Sequence, residues 1–238
     1  METLSNKWQT RLVPCNLCSS LDSKTLWIKD SFRYARCMKC GLIYVNPQLL
    51  ADEIVRIYEI GYASKTALTP SRIDLITHQH VLGLTRPYRR TNRWLDVGCF
   101  NGNLLLTAQT EGWKPFGTEI SAPAVEFARS QGIDVFEGSL LEANFPDNWF
   151  DVVTLSDVIE HLDIPKDYLC EIQRILRPGG LLYMDTPNFN SLVRRWLGKK
   201  GYSDLWYTAP NDNGGAGWVD CRMSRSKPMR IASWRSPA

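Results

Sequence analysis

The chain has 238 residues, 44% of them hydrophobic, with 28 Lys and Arg against 25 Asp and Glu and a formal net charge of +3. That length holds one full α/β domain and a small accessory module, and no apolar run approaches the roughly 18 residues a membrane span needs. The charge is too small to argue for nucleic acid, and the aromatic residues are dispersed and do not follow a basic stripe, so a cytoplasmic protein acting on small molecules is the expectation, without nucleic-acid or membrane partners.

Residues 1–14 lack the apolar core of a secretory signal, which argues against an oxidising compartment. Two pairs follow, Cys15-x-x-Cys18 and Cys37-x-x-Cys40, separated by 18 residues. The spacing matches a zinc pattern in which each pair offers two thiolates to one tetrahedral ion from a tight knuckle, and Gly41 relieves the turn after the second pair. These ~40 residues have too little apolar content to form a core alone, so a structural Zn2+ is expected to hold them. Disulfides or free thiols are the alternative. Four thiolates close the metal's shell, so such an ion is not catalytic. Further on, Asp52–Tyr58 and Ser71–Leu82 carry apolar residues at helical spacing. His78 and His80 near the second helix's end read as surface or capping residues.

The most informative stretch is 93–119. An apolar run, Trp94–Val97, ends in Gly98-Cys-Phe-Asn-Gly102; a helical stretch, Asn103–Glu111, follows, and a second apolar run, Trp113–Thr118, ends in Glu119. Strand, glycine turn, helix, strand and acid is the order of a nucleotide-binding β-α-β unit, and a carboxylate at Glu119 can accept hydrogen bonds from both ribose hydroxyls. The turn is not G-x-G-x-x-G, which argues against a nicotinamide oxidoreductase, and no Gly-Lys-Ser/Thr follows to cradle a triphosphate. Residues 133–137 read as a third strand, followed by Gly138-Ser139-Leu140. Phe150–Leu162 begins as a buried strand and then carries Asp157, Glu160 and His161 at its carboxyl end, where open α/β sheets bind ligands. Glu171–Asp185 reads as a helix, a Pro178-Gly-Gly stop and a fifth strand. Cys99 sits in the glycine turn, Cys170 in a helix as a small buried hydrophobe, and Cys221 has no Cys-x-x-Cys partner.

With Asp96-x-Gly98-x-x-x-Gly102, Glu119, Gly138-Ser139-Leu140, Asp157-x-x-Glu160-His161 and Pro178-Gly-Gly in this order, the chain resembles the class I S-adenosylmethionine-dependent methyltransferases. The segment at 157–161 is similar to that of quinone-biosynthesis O-methyltransferases. The family's first motif runs Asp/Glu-x-Gly-x-Gly-x-Gly, and Phe100 replaces the middle glycine here. The resemblance implies an α/β, Rossmann-like sheet with helices on both faces, preceded by a small zinc ribbon. It implies S-adenosylmethionine as cofactor, bound by Asp96, Gly98, Cys99, Gly102, Glu119, Ile120, Ser139, Leu140 and Ser156. Ser139 stands where relatives often carry an acid that meets the adenine amino group. For Asp157, Glu160 and His161 three roles stay open: His161 as general base, the cluster as a Mg2+ site at the acceptor, or a helix cap. Relatives often place such a ribbon, with a Gly41–Pro47-like strand, ahead of the catalytic fold, where it shapes an acceptor pocket or docks a carrier. Their connector covers the donor, and tyrosines near Tyr58 and Tyr62 approach it; packing alone is the other reading of those tyrosines.

The expected organisation is a zinc ribbon (10–47), a helical connector (48–90), a methyltransferase domain (91–200) and an irregular tail (201–238). A helix is expected from Asn190 to Gly198. The tail lacks the alternation of the terminal hairpin that the family carries, includes the glycine-rich 211–217 and holds Trp206, Tyr207, Trp218 and Trp234. The C-terminal strands are therefore expected to be missing or altered, leaving the fifth strand as an unpaired edge. The function so implied is methyl transfer to a small-molecule acceptor, at oxygen of an aryl or sugar metabolite, or at carbon of a sugar. A degenerate, non-catalytic binding protein that uses the ribbon and tail for partners is the alternative.

Overall fold

The computed structural model describes residues 8–29, 32–56, 72–186, 207–208 and 230–232. Tyr58, Tyr62, the helix expected over 190–198, the glycine-rich 211–217, Cys221 and Trp206, Trp218 and Trp234 lie outside them.

The cysteine-bearing part is built from short antiparallel strands: β1 (Thr10–Arg11), β2 (Ser23–Lys29), β3 (Phe32–Cys37), β4 (Ile43–Val45) and β5 (Gln48–Leu49). β1 pairs with β5, and β2, β3 and β4 form a meander. Asn46, 6% exposed, ties the two sheets together. Its side chain accepts from the Val13 N–H at 3.1 Å and donates to the Val13 carbonyl at 2.9 Å, mimicking a strand partner beside the first cysteine pair. Residues 51–56 (α1) begin the connector, which continues in α2 (Arg72–Thr85).

The remainder is an α/β domain: β6 (Arg93–Val97), α3 (Asn103–Thr110), β7 (Lys114–Glu119), α4 (Ala122–Ser130), β8 (Asp134–Glu137), β9 (Phe150–Ser156), α5 (Pro165–Ile175) and β10 (Leu176–Asp185). β11 (Tyr207–Thr208) and β12 (Arg230–Ala232) come from the C-terminal part. The large sheet runs β12-β10-β9-β6-β7-β8 with parallel pairings throughout. From β6 the chain winds outward through β7 to β8, then returns to β9 on the other side of β6. The crevice at that reversal is where such sheets bind ligands.

Alternate strand residues supply two cores. Trp94, Val152, Leu181 and Tyr183 face α2, α3 and α4, against Val81, Leu82, Leu105, Val125 and Ala128. Leu95, Val97, Val153, Leu155 and Leu182 face α5, against Tyr168, Leu169, Ile172 and Ile175. Each Val, Leu or Ile side chain among these contributes about 1.5–3 kcal/mol on burial. The helical spacing that turns those α5 residues inward turns Cys170 outward. It is exposed, not a core residue.

Two other expectations change. The Pro178-Gly-Gly segment is not a plain helix stop ahead of a strand: pairing starts at Leu176 opposite Phe150, bulges over the Pro-Gly-Gly, and resumes at Leu181 opposite Val152. A Cβ on Gly180 would stand 3.0 Å from the carbonyls of Arg177 and Asp151, so the bulge needs glycine there. The outer edge of β10 is also not bare, since β12 pairs with it through Leu181, Leu182 and Tyr183.

Candidate active site

Because the large sheet is parallel, the carboxyl ends of β6, β7, β8, β9 and β10 open on one edge, which gathers Asp96, Gly98, Glu119, Gly138, Asp157 and Asp185. The glycine turn is the tightest part. Gly98 (φ 68°) and Gly102 (φ 76°) are left-handed, and a Cβ on Gly98 would come within 2.7 Å of Val158, which crosses from the segment after β9. Phe100, in place of the family's middle glycine, also takes φ 51°. A left-handed non-glycine residue costs about 1–2 kcal/mol. Here Phe100 donates its N–H to Glu119 Oε2 at 3.0 Å, which holds the turn to the next strand.

Glu119, 5% exposed, accepts from the Ser121 N–H through Oε1 at 2.9 Å. Burial pushes its carboxyl above the usual range, and the backbone donors of Ser121, Phe100 and Ile120 work against that shift. Each carboxylate oxygen has two lone pairs, so both retain capacity for further hydroxyl donors. Asp96 accepts from the Thr154 hydroxyl at 2.5 Å, and that oxygen in turn accepts from Trp94 Nε1 at 3.1 Å. Burial raises Asp96 to about 7, against the Thr154 bond, with Asp185 and Glu119 adding repulsion. Sequence reasoning missed Thr154, although it stands directly across the ladder from Asp96.

The other expected donor-site residues divide. Cys99 is 5% exposed and packs against Gly117, where a Cβ would lie 2.5 Å from its Sγ. Leu140 is fully buried in the α5-side core. Ile120 and Ser156 are half-buried at the ends of β7 and β9. Ser139 donates both its N–H (2.8 Å) and its hydroxyl (2.6 Å) to Glu142 Oε2, so an acid does stand at this turn, three residues further on. Nothing in the motif pointed to Glu142.

At the end of β9, Asp157 is exposed and left-handed (φ 51°), whereas Glu160 is 2% exposed. Glu160 and His161 lie in a single 3-10 turn, Ile159–His161. Among the described residues the four cysteines are the one group of three or more potential metal ligands whose atoms converge; Asp157, Glu160 and His161 do not form a second, so the structure lends no support to the magnesium reading. Asp185, at the carboxyl end of β10, joins the acids here and was missed as a candidate. Glu160 Oε2, Asp185 Oδ1 and the buried Tyr183 hydroxyl have no hydrogen-bond partner among the described residues. Burial first, then neighbouring acids, lifts Glu160 to about 7 and Asp185 to about 6.

These shifts have a consequence for stability. The folded chain keeps protons on Glu160 and Asp96 up to about pH 7, whereas the unfolded chain releases them near 4.5 and 3.8. The folded state therefore binds more protons in that window, and its stability falls as pH rises. Thermal unfolding should show a melting temperature several degrees lower at pH 7.5 than at pH 5.5. Glu160→Gln should shrink that difference; an unchanged difference would show that Glu160 does not titrate there.

The cysteine pairs form two equivalent knuckles. Cys15 and Cys37 each accept a backbone N–H four residues on, from Ser19 (2.8 Å) and Gly41 (3.0 Å), and those residues are left-handed (φ 58° and 80°). Cys15 Sγ lies 3.4 Å from Cys40 Sγ, Cys18 Sγ lies 3.5 Å from Cys37 Sγ, and all four fall within 4.8 Å of one another. A tetrahedral zinc with bonds of ~2.3 Å spaces its sulfurs about 3.8 Å apart, so the cluster fits such an ion. None of the four is in a disulfide. Burial pushes the Cys15 thiol up, against the backbone N–H groups of Cys18 and Leu17 that point at it. At Cys37 burial is outweighed by the N–H groups of Cys40 and Lys39 and the neighbouring sulfurs, which bring the thiol down to about 7.

A parallel, doubly wound sheet with a glycine turn at its switch point and an acid ending the next strand is the architecture of a class I, S-adenosylmethionine-dependent methyltransferase. A family model described as a methyltransferase domain matches residues 51–222. The chain belongs to that family. It is 31% identical over 168 residues to a probable methyltransferase, ltbC, of Aspergillus luteorubrus, covering 59% of this chain and 58% of that one. It is 27% identical over 188 residues to the mitochondrial ubiquinone biosynthesis O-methyltransferase of Schizosaccharomyces pombe, covering 70% and 67%. Several of the matched curated relatives are covered over only about half their length, as with the ubiquinone biosynthesis O-methyltransferases of Erwinia tasmaniensis (53%) and Rhodopseudomonas palustris (48%). Among solved structures, a possible histamine N-methyltransferase from Thermotoga maritima aligns at a TM-score of 0.47 and 23% identity over 60% of this chain and 67% of that one. No helix among the described residues is long and apolar enough to cross a membrane.

Proposed function

We propose that this protein transfers a methyl group from S-adenosylmethionine to a small-molecule acceptor, at oxygen by preference, in a cytoplasmic setting. The observation that carries the reading is the joined pair of the glycine turn and Glu119. The carboxylate holds the turn through Phe100 and still has lone pairs to offer. Asp96, Gly98, Gly102 and Ile120 would shape the donor pocket around it, with Ser139, Leu140 and Ser156 at the flanking strand ends and Cys99 supporting the turn from beneath. The names of the ubiquinone biosynthesis O-methyltransferase relatives support oxygen as the acceptor atom, and an aryl or a sugar metabolite is the proposed acceptor class.

Bound donor supplies a methyl group already activated on a sulfonium. The chain's own residues then align the acceptor and take its proton. His161 is the proposed base, since an unperturbed imidazole titrates near neutral pH, with Glu160 and Asp157 proposed to act beside it. Zinc at Cys15, Cys18, Cys37 and Cys40 is proposed as structural, because four thiolates leave it no open position.

Calorimetric titration of the zinc-loaded chain with S-adenosylhomocysteine is the test, with micromolar binding expected. A folded sample that does not bind would favour the non-catalytic alternative. With an acceptor in hand, His161→Ala should lower turnover by at least a hundredfold while leaving donor affinity unchanged. Full turnover in that variant would remove His161 from the mechanism.

A further inference from the structure

The cysteine cluster and the carboxyl end of β9 are distant in sequence and meet through Asn16. This residue follows Cys15 inside the first knuckle. Its Nδ2 donates to the carbonyl oxygen of Asp163, two residues beyond His161, and its Oδ1 accepts from Gln48 Nε2 at 3.2 Å. Arg11, beside the knuckle, adds an ion pair to the Asp163 carboxylate at 3.2 Å. From another side, β11 completes the ribbon sheet by pairing with β4 (Tyr207 opposite Tyr44, Thr208 opposite Ile43) and lies against Ile159–His161.

Among the described residues, the segment held in this way makes few backbone bonds of its own. Asp157 N–H reaches the Asp185 carbonyl at 3.2 Å, His161 N–H the Val158 carbonyl at 2.9 Å, and Leu162 N–H the Ile159 carbonyl only at 3.4 Å. Asp157 adds a left-handed residue at its start. So sparsely bonded a segment takes its geometry from what packs on it.

We propose that Asn16 is a positioning residue through which metal binding at the four cysteines sets the placement of the Asp157–Asp163 segment, and with it Glu160 and His161. Gathering four sulfurs on one ion fixes both knuckles, since such a site is not preformed without its metal. The Asn16 amide is then presented to Asp163 in one orientation, with Gln48 deciding which end of the amide faces outward. Without the metal the first knuckle loosens, and the Asn16–Asp163 bond is lost with it. Only the catalytic consequence rests on the methyltransferase reading; the coupling itself does not.

The test uses the full chain, with zinc alone as the metal. The chain has three histidines, so the His161 ring-proton resonances are assigned by their loss in His161→Ala. Chelation of the wild type is expected to shift those resonances and to speed amide exchange at His161 and Leu162 by about tenfold, while strand amides of β6 and β9 stay protected. Zinc-loaded Asn16→Ala, at an unchanged zinc content, should show the same shift and the same exchange, and chelation should add little more. A ribbon that merely folds on zinc would leave the His161 signals of that loaded variant where they are in the wild type. Should Asn16→Ala fail to fold, Gln48→Leu removes the donor that orients the amide and should move the same signals the same way by a smaller amount.

Uptake of no zinc, or His161 signals that respond neither to chelation nor to a loaded variant, overturns the proposal. S-adenosylhomocysteine titration of the same samples keeps the two readings apart. Coupling without donor binding sinks the methyltransferase reading alone, and donor binding without coupling sinks this one.

Discussion

Glu119→Ala is expected to weaken S-adenosylhomocysteine binding about a hundredfold in a calorimetric titration. A hydrogen bond to a charged group is worth about 1.5–3 kcal/mol, so losing two from ribose hydroxyls costs roughly 3 kcal/mol, or two decades of affinity. Alanine does more than remove those acceptors. It also strands the N–H groups of Phe100 and Ser121, which the carboxylate now holds at 3.0 and 2.9 Å, and releases a left-handed Phe100 from the contact that keeps it there. Glu119→Gln separates the two effects. Its remaining carbonyl oxygen can keep one backbone donor while the amide nitrogen can accept nothing, so a loss of about tenfold is expected, with a smaller fall in melting temperature than alanine causes. Wild-type affinity in the alanine variant would place the donor elsewhere and remove the observation on which the functional reading stands.

Asp151→Ala is expected to destabilise the fold by about 3–5 kcal/mol without changing donor affinity in the molecules that remain folded. The side chain is fully buried at the amino end of β9. One oxygen, Oδ2, accepts the N–H groups of Arg90, Thr91 and Asn92 at 2.7, 2.6 and 2.8 Å, turning the chain into β6. The other, Oδ1, takes Arg177 Nε at 2.5 Å, and the same guanidinium donates to the Tyr88 carbonyl. One carboxylate thus ties together the starts of β6, β9 and β10. Its removal leaves three amides and a mostly buried cation uncompensated, and such groups cost far more unpaired than the pair is worth intact. Urea denaturation of Asp151→Ala, Arg177→Ala and the double variant checks this. The two losses should overlap by at least 1 kcal/mol in the double variant, because both residues act in one network. Additive losses would mean that the pair is not coupled. A fall in donor affinity would contradict the placement of Asp151 at the edge of the sheet opposite the site.

The acid-glycine turn, its helix and the acid of the next strand were legible because each depends on near neighbours. Apolar runs of strand length, glycines where φ is positive and helical spacing all act over fewer than ten residues, so a single pass along the chain finds them. The knuckles were legible for the same reason: two sulfurs three residues apart leave few geometries, and Gly41 marks the turn. Side-chain direction was not legible at Cys170, where one step of helical phase separates the core face from the exposed one. Nor was the Leu176–Leu181 bulge, because a strand's starting point depends on the partner it pairs with.

The residues that matter most for holding the site together were silent. Asp151 reads as an acid in an apolar strand, Asn46 as a polar residue before proline, and Thr154 as a β-former. Their work is done across separations of about 30 to 60 residues, by hydrogen bonds whose value depends on burial. Asn16 and Asp163 are the extreme case, 147 residues apart. By itself, the sequence determined the fold class, the acid-glycine turn with its following acid, and the four converging thiols, since those follow from local backbone chemistry and from spacing. Only the tertiary structure decided which acids are buried near one another, which edge β12 covers, and that the cysteine ribbon seats on the segment carrying His161. A hydrogen bond between distant segments leaves no periodicity and no motif in either of them.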